Sequence, residues 1–318
     1  MPLFDMPLEE LRVYKPQRKE PADFDDFWRE TLSEARQHDL AATFEPIDSG
    51  LETINVYDVT FAGFGGAPIK GWYLVPRHLP APLPAVVHYI GYGGGRGYPL
   101  EWLEFPSAGF AHLVMDSRGQ GSDTADMPNG VNPAVPGYMT QGILDPRTYY
   151  YRRLYTDAVR AVDAIVTRSE IDQKRIAVTG GSQGGGLCIA AAGLRDDVAY
   201  CLPDVPFLSH FRRAVDITPN NPYQEIARYL ATHRDKIDVV FNTLAYFDGV
   251  NFAARMQAGA FYSVGIMDTV CPPSTVYASY NQVRSQKRIV EYHYNNHEGG
   301  GAQHLLEKIR ILRELWLA

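Results

Sequence analysis

Between Arg175 and Gly193 the chain reads RIAVTGGSQGGGLCIAAAG, setting a single hydroxyl among glycines after a β-branched run and before an Ala-rich one. Gly180-Gly181-Ser182-Gln183-Gly184 fits the spacing G-x-S-x-G, a strained strand-to-helix turn that lifts a serine Oγ above a sheet. Flanking glycines let helix and strand approach where a Cβ would collide. The helix N-terminus also favours negative charge developing nearby. A glycine-rich turn with an N-capping serine would use the same residues. The strand-like run before and the helical run after favour the nucleophile.

A serine hydroxyl is a weak nucleophile and needs a base. Behind such a turn an acid and then a histidine are expected along the chain. Nine histidines compete. His297, in NNHEGGGAQH, sits on a Gly-rich loop just past the last strand-like run and can reach back across the sheet top. His88, His112 and His293 lie within strand patterns and are expected as packed imidazoles, while His304 begins the final helix. For the acid, Asp268 follows AFYSVGI and precedes TVCPP, a tight turn suited to holding a carboxylate still. Its role would be to fix the imidazole tautomer and stabilise the imidazolium. Asp204, one strand earlier after AYCLP, is the rival, and either aspartate could instead cap its loop.

An oxyanion site needs one N–H just after the nucleophile, from Gln183, and another from the loop IGYGGGRGY at 90–98. Tyr92 is placed to give it, with the neighbouring glycines as alternatives. That loop is not a phosphate cradle, since no Lys-Ser/Thr follows and the glycine spacing misses G-x-G-x-x-G. Cys271, Pro272 and Val276 follow Asp268 closely and are candidates for the wall of a small acyl pocket; ordinary helix-start packing would use them equally well. Acyl transfer of this kind calls for no metal and no organic cofactor.

The elements that must hold these residues alternate. INVYDVTF and IKGWYLV flank AGFGGAP as a hairpin, and PAVVHYI and AHLVMD read as buried parallel strands. Leu154, Ala158, Ala161, Val162 and Ile165 mark one helical face. RIAVTG, a helical GLCIAAAGL and AYCLPD follow, then GAFYSVGIMD, KRIVEYHYNN and a closing helix with Leu305, Ile309, Leu312 and Trp316 on one side. Residues 1–50 read as an extension carrying a covering helix, with Phe24, Phe27, Trp28 and Leu32 near helical spacing. Residues of about 205–257 read as a helical insertion over the sheet edge. The expectation is one α/β domain over 1–318, with a mostly parallel sheet wound on both faces.

A formal charge of −7 and a pI near 5.7 argue against nucleic acid as partner. Three cysteines, Cys188, Cys201 and Cys271, cannot all pair, and none forms C-x-x-C. The first residues lack the pattern of a signal peptide, no apolar run approaches membrane-spanning length, and no N-x-[ST] occurs. A cytoplasmic setting is expected.

Together these residues resemble carbohydrate esterase family seven, the acetyl xylan esterase and cephalosporin C deacetylase group of α/β-hydrolases. The marks are Arg118-Gly119-Gln120 in MDSRGQGS, Gly-Gly-Ser-Gln-Gly-Gly at 180–185, and His297-Glu298. MPLFDMPLEEL, GILDPRTYYYRR, DVPFLSHFRRAV and YFDGVNFAAR add to them, so the likeness runs over nearly the whole chain. It implies Ser182 as nucleophile, His297 as base and then acid, Asp268 as its partner, and Tyr92 and Gln183 as oxyanion donors. It implies deacetylation of small acetylated sugars and of the antibiotic cephalosporin C, in a homohexamer with inward-facing sites, with hydrogen peroxide able to replace water. A serine peptidase of the same fold, or a non-catalytic binding member, would be the alternatives. One departure is that the segment after the Arg-Gly-Gln mark, GSDTADMPNGVNPAVPGY, is shorter than the family pattern. Arg118 itself is expected to tie loops beneath the site.

Overall fold

The apolar runs become the strands of one nine-stranded sheet in the computed structural model, which describes residues 5–121, 123–126 and 135–317. The strands are β1 (Thr43–Ile47), β2 (Ile54–Ala62), β3 (Pro68–Pro76), β4 (Leu83–Tyr89), β5 (Ala111–Met115), β6 (Ile171–Gly181), β7 (Tyr200–Asp204), β8 (Gly259–Gly265) and β9 (Lys287–Tyr292). Their order is β1-β2-β3-β5-β4-β6-β7-β8-β9. The first three and β5 pair antiparallel, and the remainder run parallel from β5 to β9. The helices are α1 (Leu8–Val13), α2 (Phe24–Arg36), α3 (Glu104–Ser107), α4 (Tyr150–Ile165), α5 (Gln183–Leu194), α6 (Phe211–Ile217), α7 (Tyr223–Thr232), α8 (Ile237–Ala245), α9 (Gly249–Ala253), α10 (Pro273–Tyr280) and α11 (Gly301–Trp316). The mostly parallel α/β sheet expected from the alternation is present, in the α/β-hydrolase architecture that the resemblance implies.

Period-two alternation in β4 divides the core. Ala85, Val87 and Tyr89 belong to the large cluster beneath α4 and α5, whereas Val86 packs with Phe105, Phe110 and Leu312 on the α3 and α11 side. Helix α5 has buried residues on every side, as an all-apolar helix wedged between sheet and outer helices must. Phe24, Phe27, Trp28 and Leu32 of α2 are all buried, and Trp28 stacks on Tyr155 of α4, so the amphipathic stripe does cover the main body.

Two local expectations change. The chain before the hairpin contributes β1 as well as helices; Thr43–Ile47 is short and largely exposed, with no apolar alternation to announce it. The segment after β7 joins two neighbouring strands with β9 outside them, and its α9 packs against α5 and α10. Its α9 therefore lies among the helices on one face of the sheet. Of the short segment after Arg118-Gly119-Gln120, residues 122 and 127–134 lie outside the described residues. Among the described residues no helix is long and apolar enough to cross a membrane.

Candidate active site

Ser182 stands at the junction of β6 and α5 with φ 55° and ψ −118°, a conformation that a residue with a Cβ rarely adopts. Three hydrogen bonds impose it. Its N–H donates to the Asp204 carbonyl at 2.9 Å, and its own carbonyl accepts from the N–H of Gly186 at 3.0 Å and of Phe207 at 2.9 Å. The flanking glycines are sterically required. A Cβ on Gly180 or Gly184 would lie 2.5 or 2.0 Å from the Tyr89 carbonyl oxygen at the end of β4.

His297 lies on the loop between β9 and α11, and its Nδ1 is 2.8 Å from Asp268 Oδ2. Asp268 is fully buried at the end of β8, and its other oxygen accepts the N–H of Val270 at 2.8 Å and of Cys271 at 2.9 Å. A carboxylate fixed in this way keeps the proton on Nδ1 and leaves Nε2 as the lone-pair nitrogen. The Cys271 thiol joins the group: its sulfur lies within 4.8 Å of the ligand atoms of Asp268 and His297. Thiol, imidazole and carboxylate thus meet past the carboxyl end of β8, and the serine stands at the carboxyl end of β6. Asp204, the rival acid, is engaged elsewhere, since its carboxylate takes the Lys308 ammonium and faces His304 Nε2 at 3.2 Å.

Among the described residues, the backbone N–H groups of Tyr92 and Gln183 have no protein acceptor. Both border the elbow, one at the N-terminus of α5 and one in the loop after β4, as an oxyanion site requires. A buried amide pair fixes their spacing: the side chains of Gln120 and Gln183 bond reciprocally at 2.8 and 3.0 Å. Gln120 Oε1 also accepts the Gly93 N–H at 2.8 Å, and Gln183 Nε2 donates to the Ile90 carbonyl at 3.2 Å. Tyr150 and Tyr151 close the network through their hydroxyls. Sequence reasoning did not assign Gln120 this place; the Arg-Gly-Gln mark was visible, but no pattern within one chain pairs residues 120 and 183. Tyr92 is further anchored by its hydroxyl, which donates to Glu225 Oε1 at 2.7 Å, so α7 steadies the loop. Burial and that carboxylate both push its phenol pKa upward.

Arg118 does tie loops: its guanidinium forms a buried bidentate pair with Asp157 and reaches the Asp126 and Phe64 carbonyls. Of the three pocket candidates, Cys271 is buried beside Asp268 and His297, Pro272 is buried just before α10, and Val276 is part of the main core. Burial raises the Cys271 thiol well above its usual range, with Asp268 adding to the effect, so the sulfur is neutral. A separate cavity of about 660 Å³, lined by Glu20, Phe211, Arg212, Phe241 and Asp248 among others, has no serine or cysteine in its wall.

The family described as acetyl xylan esterase, AXE1, matches residues 1–315. A curated relative, the acetyl esterase Axe7A of Xylanibacter ruminicola, is 30% identical over 292 residues, which are 90% of this chain and 65% of that protein. The chain thus spans just under two thirds of that relative's length. Among solved structures, an acetyl xylan esterase from Paenibacillus sp. R4 superposes with a TM-score of 0.92 at 42% identity, covering 97% of this chain and 99% of that one. Acetyl xylan esterase 1 from Thermoanaerobacterium sp. JW/SL YS485 gives 0.90 at 33% identity, covering 98% and 99%. An acylaminoacyl peptidase from Pyrococcus horikoshii, at 15% identity and a TM-score of 0.61, covers 95% of this chain and 44% of that one, and shares the fold alone.

Proposed function

This chain belongs to the acetyl xylan esterase family and is a carboxylic ester hydrolase, and from that premise we propose that it removes acetyl groups from small acetylated carbohydrates such as xylo-oligosaccharides, and from cephalosporin C. The observation that supports the reading is a strained Ser182 at the turn from β6 into α5, together with a His297 oriented by the Asp268 carboxylate and two unpaired N–H groups beside the elbow.

In this reading Ser182 Oγ attacks the acetyl carbonyl while His297 Nε2 takes its proton. The tetrahedral oxyanion is held by the N–H groups of Tyr92 and Gln183, each worth about 3–4 kcal/mol of barrier. His297 then protonates the departing sugar hydroxyl. Water, deprotonated by the same imidazole, cleaves the acetyl-enzyme and frees acetate. Asp268 stays ionised throughout and stabilises the imidazolium. Hydrogen peroxide in place of water would yield peracetic acid by the same step. Cys271, Pro272 and Val276 would wall a pocket fitted to acetyl, with the neutral sulfur beside the nucleophile. A homohexamer in the cytoplasm is the setting we propose, on the strength of the family resemblance and of three buried free thiols, which suit a reducing compartment.

Rates on p-nitrophenyl acetate, acetylated xylo-oligosaccharides and a peptide anilide test this directly. Acetate release from the first two, lost in Ser182→Ala and absent on the anilide, is expected. Anilide cleavage, or ester activity surviving in Ser182→Ala, would overturn it.

A further inference from the structure

On the α3 and α11 side of the sheet, away from α5, two histidines expected as packed imidazoles stand next to a carboxylate. His88 of β4 and His112 of β5 place Nδ1 and Nε2 at 3.3 Å. Glu104, at the start of α3, brings a carboxylate oxygen within 4.8 Å of one ring nitrogen of each. His112 is fully buried, while His88 and Glu104 are half-buried, so the group is reachable from one side. We propose that His88, Glu104 and His112 form a binding site for a divalent transition-metal ion, zinc foremost.

The donor set and its spacing suit such an ion. Metal–nitrogen bonds of about 2.0–2.1 Å place two donors on one ion about 3.0–3.4 Å apart, and the observed nitrogen separation already falls in that range. Imidazole and carboxylate together favour zinc and its first-row neighbours over magnesium or calcium. His112 also carries the support that a ligating histidine normally has. Its Nδ1 lies 3.1 Å from the Trp102 carbonyl, which fixes the proton there and directs the Nε2 lone pair at the group. In the metal-free form His88 Nδ1–H donates to that lone pair. Binding moves this proton to His88 Nε2, so both histidines ligate as neutral rings, and Glu104 supplies one negative charge. The Lys308 ammonium would oppose a cation, but it is paired with Asp204 and bonded to Thr179 Oγ1 at 2.9 Å. A cation here would cross-link β4, β5 and α3 at the root of the loop that carries Tyr92.

The catalytic group, Asp268, Cys271 and His297, is the competing place for a metal, and the two are separable. The test titrates chelator-treated full-length protein with Zn²⁺ by calorimetry and with Co²⁺ by absorption, following Trp102, whose ring centroid is 4.8 Å from that of His88. Wild type should take up one Zn²⁺ per chain, gain melting temperature and keep its esterase rate. Its Co²⁺ form should show d–d bands without thiolate charge transfer, and Co²⁺ should quench Trp102. Glu104→Gln and His88→Gln should each weaken binding at least tenfold. Glu104 is partly exposed, so Glu104→Gln remains informative if His88→Gln folds poorly. No Zn²⁺ uptake, uptake unchanged in Glu104→Gln, or a thiolate band that vanishes in Cys271→Ala with loss of esterase activity on metal addition would each overturn the assignment.

Discussion

Asp268 divides its carboxylate between two tasks: one oxygen meets His297 Nδ1 at 2.8 Å, and the other is held by the N–H groups of Val270 and Cys271. The turn TVCPP thereby anchors the carboxylate that holds the imidazole, and residues 29 positions apart are joined. Asp268→Asn keeps the shape but no longer fixes the Nδ1 proton. The expected result is a fall in kcat on p-nitrophenyl acetate of about 10⁴-fold, with KM and the melting temperature nearly unchanged. A fall of less than tenfold would show that His297 is oriented by something else.

The Gln120–Gln183 amide pair should matter to stability and rate together. Gln120→Leu removes the acceptor for the Gly93 N–H and leaves the buried Gln183 amide short of partners. Stranding buried polar groups costs about 1–3 kcal/mol, measurable by urea unfolding. The loop bearing Tyr92 loses its tether as well, so kcat should drop beyond what the lost stability explains at a temperature where the variant is folded.

Arg118 and Asp157 form a buried pair, both about fully shielded from solvent. Arg118→Met leaves Asp157 charged and uncompensated, and should lower unfolding free energy by about 3–5 kcal/mol. The double variant Arg118→Met/Asp157→Leu should recover much of that loss. Equal stability of the single and double variants would contradict the pairing as the source.

His210, with a pKa pushed down to about 4 by burial and by nearby Arg213, gives a pH dependence of known sign. The unfolded chain takes up this proton near its ordinary value of about 6.5, so between there and 4 the unfolded state binds more protons and stability falls with falling pH. The displacement corresponds to at most about 3–4 kcal/mol. Asp248, pushed up to about 6 by burial, acts in the opposite sense over part of the window, because its folded form is protonated first. Asparagine tolerates the left-handed backbone at position 210, where φ is 53°. His210→Asn should therefore show a shallower acid limb in melting temperature than wild type, whereas parallel limbs would contradict the assignment.

How far the sequence carries can be judged residue by residue. The elbow was legible because G-x-S-x-G is a local steric requirement, seen in the clash a Cβ would make at Gly184. His297 and Asp268 were legible because a turn after a strand end is where side chains can converge. Asp204 remained a rival on the page because nothing in AYCLPD reveals that Lys308, 104 positions away, claims its carboxylate. Strand β1 was missed because an exposed edge strand carries no alternation. The Gln120–Gln183 pair and the His88–His112 contact join residues far apart in the chain, and periodicity carries no signal for such polar pairings.

The most direct measurement is reaction of the full chain with a serine-reactive phosphonate, read by intact mass and peptide mapping alongside residual esterase activity. One adduct per chain, on the peptide bearing Ser182 and rising in step with loss of activity, is the predicted result. Complete loss of activity with Ser182 unlabelled, or full activity with it labelled, would contradict Ser182 as the nucleophile.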